Sequence, residues 1–220
     1  MRINAFLARA SGLSRRAADQ AIADGRVQVN GRPATPGDQV SDVDKVTLDG
    51  EPVAASTQTI TIMLNKPVGY VVSRHGQGSH TVYDLLPSEY HQLKPVGRLD
   101  KDSSGLLLLT NDGQLANRLT HPRYAKRKVY EVTLDKPLTP TDKNRFEQGV
   151  KLDDGSSKLQ ISNLSGHHCM VTLTEGRNRQ IRRTFAVLGY TVTDLRRTRF
   201  GDYTLGDLRA SNYTPCKFGV

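Results

Sequence analysis

Metal ligands and long apolar runs are what this sequence of 220 residues has least of. Cys169 and Cys216 are its only cysteines. They are too few and too far apart for a zinc cluster, and nothing else suggests a disulfide framework, so a reducing cytoplasm is the expected compartment. No apolar run approaches the roughly 18 residues that span a bilayer, and Arg2, Asn4 and Arg9 break up the first ten positions. Neither a membrane-spanning helix nor a signal peptide is expected. His75, His80 and His91 fall in one loop-rich stretch, but their spacing matches no metal motif and they read as polar surface. A Walker A loop and a dinucleotide fingerprint are also missing, so no metal and no cofactor is expected. Acidic side chains are in short supply, 22 against 31 basic ones, which leaves a net charge of +9. Such an excess favours a polyanionic partner through counterion release, without saying which polyanion.

The positive charge is unevenly placed. Arg118, Arg123, Lys126, Arg127 and Lys128 come with no acid among them, and Arg177, Arg179, Arg182, Arg183, Arg196, Arg197 and Arg199 form a second cluster. Both read as phosphate contacts, with a solvated charged face as the competing account.

The length allows one ordinary domain and a small one. Ile3, Phe6, Leu7 and Ala10 lie on one helical stripe. Ser14 can cap a second helix that buries Ala17, Ala18, Ala21 and Ile22 and ends at Gly25. Val27 and Val29 precede Asn30-Gly31, a hairpin signal, and Val46 and Leu48 supply another short strand. Residues 1–53 therefore read as a small unit of two helices and a ribbon. The polar, aperiodic stretch 54–59 reads as a linker, and 60–220 as the main domain.

In that domain Ile60, Ile62 and Leu64 alternate along a strand that delivers Lys66 into a loop, where it either contacts phosphate or sits at the surface before a turn. A helix starts near Asp112 and carries Leu115, Ala116 and Leu119. Tyr130, Val132 and Leu134 share one face of a strand. Phe146 and Val150 mark a further helix, 159–164 and 170–173 read as strands, and Ile181, Thr184, Phe185 and Leu188 form a helical stripe ended by Gly189. A long strand covers 192–200, and the tail beyond Gly206 carries no pattern. Strands outnumber helices, so the expected class is α+β with a mixed, largely antiparallel sheet.

The centre of the chain is Gly97-Arg98-Leu99-Asp100-Lys101-Asp102-Ser103-Ser104-Gly105, which runs into four leucines. A polar, glycine-bracketed loop ahead of an apolar strand is a common way to hold a reactive side chain at the mouth of a rigid element, and Asp100 is the first candidate. A turn residue bonding its own backbone is the ordinary alternative, and it suits Asp102.

The string GRLDKDSSGLLLLTNDG at 97–113 resembles the signature of pseudouridine synthases, specifically the RsuA-type family that modifies ribosomal RNA. LNKPVG at 64–69, KVYEV at 128–132 and LTEGRNRQIRR at 173–183 follow in that family's order, and residues 2–50 resemble an S4 RNA-binding domain. The resemblance implies the pseudouridine synthase fold behind an S4 domain. It implies no cofactor, and a partner that is ribosomal RNA or a ribosomal subunit precursor; a monomer is expected. It further implies that Asp100 is the catalytic carboxylate, Arg182 its ion-pair partner and Tyr130 the residue packed on the uracil. Arg15, Arg16 and Arg26 would face RNA from the small unit, and Lys66, Arg98, Arg123, Lys126, Arg127, Lys128, Arg177, Arg179 and Arg183 from the large one. QLANRL at 114–119 and GVKLDDG at 149–155 look most like the RluB-type branch that acts on 23S RNA, with 16S RNA as the alternative. Whether Asp100 attacks the sugar or removes one of its protons stays open. Two other classes are a catalytically inert RNA-binding assembly factor and a glycoside hydrolase using Asp100 and Asp102, which would need its carboxylates facing across a bond.

Overall fold

A computed structural model of the chain describes residues 1–41, 43–54 and 59–216. The chain divides into two compact units, Met1–Thr59 and Ile60–Val220. Residues 55–58 of the expected linker lie outside the described residues.

In the first unit, helices α1 (Ile3–Ala10) and α2 (Arg15–Ala23) pack on a sheet of four short strands. The Ser14 hydroxyl accepts from the Ala17 amide at 3.0 Å and so caps the start of α2. Ala18, Ala21 and Ile22 are buried, whereas Ala17, in the first turn of α2, is exposed. Strands β1 (Val27–Val29) and β2 (Arg32–Pro33) join through Asn30 and Gly31, whose φ angles of 51° and 80° make the left-handed turn that this dipeptide favours. Adding β3 (Val46–Leu48) and β4 (Glu51–Val53) gives the order β2-β1-β3-β4.

The second unit is built on one large sheet. In chain order its elements are β5 (Thr61–Lys66), β6 (Lys94–Val96), β7 (Ser104–Thr110), α3 (Gly113–Thr120), β8 (Lys128–Leu134) and α4 (Pro140–Gln148). There follow β9 (Val150–Leu152), β10 (Gly155–Ser157), β11 (Gln160–Ser165), β12 (His168–Leu173), α5 (Gln180–Val187), β13 (Val192–Phe200), β14 (Tyr203–Thr204) and β15 (Tyr213–Pro215). The sheet runs β11-β12-β8-β13-β7-β5-β15, with β14 beside β13 and β6 beside β7, while β9 and β10 form a separate hairpin. Pairing is antiparallel throughout except between β13 and β7. The α+β class with a mixed, mostly antiparallel sheet is therefore observed.

Strand β7 is apolar on both faces because both are covered. Leu107 and Leu109 join the larger core with Ile62, Phe146 and Phe185, and Leu106 and Leu108 join a smaller one with Leu115, Leu119 and Phe200. β7 and β13 pair only through Ser104 with Arg196 and Gly105 with Arg197. At that junction a Cβ on Gly105, whose φ is 101°, would lie 2.2 Å from the Arg197 carbonyl oxygen. Only glycine permits such an approach.

Val150 begins strand β9 and does not extend helix α4, which ends at Gly149 with φ 110°. The tail also contributes a strand: β15 covers the outer edge of β5.

Candidate active site

The loop 97–103 leads into β7 and is tied down from below by Lys66, the last residue of β5. Lys66 is fully buried. Its Nζ donates to the carbonyls of Pro67 at 3.0 Å, Asp100 at 3.0 Å and Ser103 at 2.6 Å, so the three ammonium protons meet three acceptors. Burial pulls the ammonium down to about 8, against the opposing charges of Asp100 and Asp102. The expectation that Lys66 reaches RNA phosphate is thereby corrected, since the side chain is spent inside the loop. Two backbone bonds complete the support, Ser103 to the Asp100 carbonyl at 3.1 Å and Gly69 to the Lys101 carbonyl at 2.8 Å.

From the other side the loop is gripped through Asp102. Arg179 donates from both terminal nitrogens to the two carboxylate oxygens at 2.8 Å, and Arg182 places Nε 3.3 Å from Oδ2. Arg182 also donates to the Asp102 carbonyl at 2.7 Å and the Val192 carbonyl at 2.6 Å. The hydrogen bonds from Arg179 hold the Asp102 carboxyl below its usual range. Arg179 reaches this position with a left-handed φ of 46° at the start of α5, a conformation costly for a side-chain-bearing residue and common where a functional loop is held in place. The expected ion pair between Arg182 and Asp100 is replaced by one to Asp102, because Arg182 is already fastened between Val192 and the far end of the loop.

Between these anchors Asp100 is half-buried, and its carboxylate takes no hydrogen bond or ion pair from the described residues. It lines a cavity of about 490 Å³ together with Tyr130, Leu195, Arg197, Lys128 and the 173–181 segment. Tyr130 is 9% exposed, on the sheet floor opposite Arg197. Arg182 does not line the cavity. A second hollow of about 360 Å³, walled by Val71, Ser73, His75 and Gln77, shares Arg98, Leu99 and Asp100 with the first. The first cavity is the right size for one nucleotide, with a free carboxylate at its wall, a phenol on its floor and cations around it.

The remaining basic candidates fall into two groups. Arg15 and Arg16 are exposed at the start of α2, Arg98 and Arg127 are exposed, and Arg123 stacks on and donates to Tyr124. Lys126 meets Asp202 at 3.2 Å, and Arg26 meets Asp49 through two bonds of 2.7 and 2.5 Å. Arg177 donates to Asp154 Oδ1 at 2.8 Å and to carbonyls of β10 and the turn before it, and Arg183 donates to Asp154 Oδ2 at 2.6 Å. Sequence reasoning missed Asp154 and the supporting network of Gln180, Ser157 and Thr184, in which Gln180 and Thr184 each donate to the Ser157 hydroxyl, at 3.0 and 2.8 Å. The partners stand more than twenty residues apart, beyond any local pattern. Among the described residues no group of side chains has the make-up of a metal site, and no helix is long and apolar enough to cross a membrane.

Comparison with known proteins gives the following. Residues 60–187 match the family described as RNA pseudouridylate synthase, and residues 1–46 match the S4 domain. The chain is 38% identical to an uncharacterized RNA pseudouridine synthase of Aquifex aeolicus, over 94% of this chain and 87% of that one. It is 36% identical to ribosomal small subunit pseudouridine synthase A of Yersinia pestis, over 98% and 94%. It is 38% identical to ribosomal large subunit pseudouridine synthase B of Xanthomonas campestris, where 93% of this chain spans only 44% of that protein. A crystal structure of a pseudouridylate synthase superposes with a TM-score of 0.71 at 32% identity, covering 99% of this chain and 96% of the other.

Proposed function

The chain belongs to the RNA pseudouridylate synthase family, and on that premise we propose that it isomerises one uridine of ribosomal RNA to pseudouridine, with Asp100 as the carboxylate that acts on the sugar. The reaction breaks the bond from uracil N1 to ribose C1′, turns the base and joins C5 to C1′. The electron pair of the broken bond leaves with the base, and the proton lost from C5 is balanced by the one gained at N1. Nothing is oxidised.

Such a step needs one carboxylate that is ionised and unoccupied, as nucleophile toward C1′ or base toward a sugar proton. The observation that carries the proposal is the contrast within the loop. Asp100 faces the cavity without a partner, while Asp102, two residues on, is held by Arg179 and Arg182. That contrast also counts against a hydrolase, because the second carboxylate it would need is already committed. Tyr130 is suited to pack against the uracil, and Arg182 is read as a positioning residue acting through Asp102. The target base must leave its stack to enter, at a cost of a few kcal/mol that phosphate contacts offset. Exposed Arg98 and Arg127 in the large unit, and Arg15 and Arg16 in the S4 unit, support that role.

The large-subunit RNA is the proposed substrate, on the likeness of 114–119 and 149–155 to the RluB-type branch. The test is pseudouridine mapping on unmodified 16S and 23S RNA, each incubated with the wild-type chain and with Asp100→Asn. One pseudouridine in 23S RNA, made by the wild type and absent with the variant, is expected. A site in 16S RNA would move the substrate. No pseudouridine on either RNA or on assembled subunits, despite tight binding, would favour an assembly factor.

A further inference from the structure

Arg197 is 2% exposed and yet lines the cavity that holds Asp100. It lies in β13, directly across from Tyr130 of β8 and beside Gly105 of β7. Its Nε donates to the Leu106 carbonyl at 2.8 Å, which fixes the plane of the guanidinium. Its Nη2 is buried without a hydrogen-bond partner, and no carboxylate among the described residues pairs with it. Lys66, equally buried, satisfies all three of its protons on carbonyls. A guanidinium taken out of water with neither a counter-charge nor a full set of acceptors is expensive, and it is retained where a ligand supplies what is missing.

A second cation stands beside it. Lys128, two residues before Tyr130 on β8, lines the same cavity. Its Nζ lies 5.2 Å from the centre of the Phe200 ring, and the Arg197 guanidinium carbon lies 4.8 Å from the same centre. Among the described residues the Lys128 ammonium has one hydrogen bond, of 3.3 Å, to the Glu175 carbonyl. Burial, and after it the charge of Arg197, lower its proton affinity. Two positive charges thus converge on one aromatic ring, and no carboxylate among the described residues forms an ion pair with either; the Glu175 charge, which acts on Lys128, is itself met by Arg177.

We propose that Lys128 and Arg197 form the seat for the phosphodiester that adjoins the target uridine, a subsite of the cavity read above as the uridine pocket. A uracil carbonyl would occupy a donor but leave both charges uncompensated. A phosphodiester brings a full negative charge and two free oxygens, one for each cation. A ribose placed against Asp100 has its 3′ and 5′ oxygens bonded to phosphorus, so a flanking phosphate must lie close to the sugar, within a cavity of this size. Seating it there fixes the sugar relative to Asp100.

The inference rests on the pseudouridine synthase reading, and its test does not need turnover. Acetylation of Lys128 in the full-length wild-type chain is followed by peptide mass mapping, with exposed Lys151 and Lys158 as internal controls. Uridine 3′,5′-bisphosphate, at about twice its Kd, is expected to slow the reaction at Lys128 about threefold, with uridine giving no protection. Equal protection by both, or by neither, overturns the proposal. Lys128→Met should raise the Kd for ribosomal RNA roughly tenfold and reduce the slope of log Kd against log salt by about one, and an unchanged slope overturns it. Arg197→Met should do the same if the buried site still folds; Lys128→Met decides the matter if it does not. Pseudouridine formed without Lys128 protection would remove the subsite and keep the enzyme. Protection without any pseudouridine would keep the anion site and remove the enzyme reading.

Discussion

Arg118 and Arg127 point into solvent from the segment around the end of α3, whereas Arg177, Arg179, Arg182 and Arg183 each meet a carboxylate or carbonyl of their own chain. Both stretches are dense in arginine, so the difference comes from the acids within reach. Asp102 and Asp154 lie across from the second stretch, and each gathers two arginines from it. Near the first stretch Asp202 takes only Lys126 among the described residues. Arg118 and Arg127 of the first stretch are therefore left open to a polyanion, whereas the second stretch is tied to the 97–103 loop and the β9–β10 hairpin. A net charge of +9 contains both kinds and does not separate them.

The sharpest way to break this comparison is Arg182→Met. If the 177–183 stretch is scaffolding, loosening the Asp102 end of the loop should misplace Asp100 and lower turnover about 100-fold, since an error of about 1 Å at a reacting group is worth that much. RNA affinity should change less than about threefold, because a side chain fastened to Asp102 and Val192 is not contributing to it. Single-turnover rates and filter binding on the same preparation separate the two. A large loss of affinity with intact turnover would place Arg182 in the free class.

A smaller effect comes from below the loop. Because the Lys66 ammonium titrates near 8 in the fold and near 10.5 when unfolded, the unfolded chain holds the extra proton between those values. Stability arising from this group therefore rises with pH across that window. Activity should move the other way, because a neutral amine has two protons for three carbonyls and the loop loses a tie. Turnover at pH 9 is expected about tenfold below its value at pH 7, with no drop in melting temperature assignable to Lys66. A Lys66→Met chain should be slow throughout and lack that limb. A melting temperature that falls together with activity would show that the fold, not the loop, is failing.

What could be read in advance follows the same division between local and distant causes. The Asp112 cap of α3, the Asn30-Gly31 turn, β8 and β13 were legible because each is written within ten residues. The four-residue spacing of Phe146 and Val150 predicts one helix through both, yet Gly149 with its positive φ stops α4 between them. β15 stayed hidden because a three-residue edge strand containing Pro215 has no periodicity, only a neighbour, β5, some 150 residues earlier. The glycine-bracketed loop singles out Asp100 as a candidate, and the structure puts it at the cavity wall. The burial of Lys66 was not legible, since it depends on carbonyls up to 37 residues away. Two carboxylates two residues apart in one loop cannot be distinguished as the Arg182 partner until the 80-residue gap to Arg182 is closed, and the fold gives the pairing to Asp102.

The least drastic change tests the free stretch. Arg127 is exposed, carries no ion pair among the described residues and lies next to Lys128 at the cavity wall. Arg127→Ala removes a charge without stranding a carboxylate, so melting should stay within about 2 °C of wild type, as for ordinary surface changes. RNA affinity should fall about threefold at moderate salt and converge with wild type as salt rises, the slope of log Kd becoming shallower by about one. Arg179→Ala makes the opposite trade. It leaves Asp102 short of its main partner, so it should lower turnover while leaving the salt slope where it was. If the two variants gave the same slope, arginines paired inside the chain would be reaching RNA as well, and the division between scaffold and contact would fail at its weakest point.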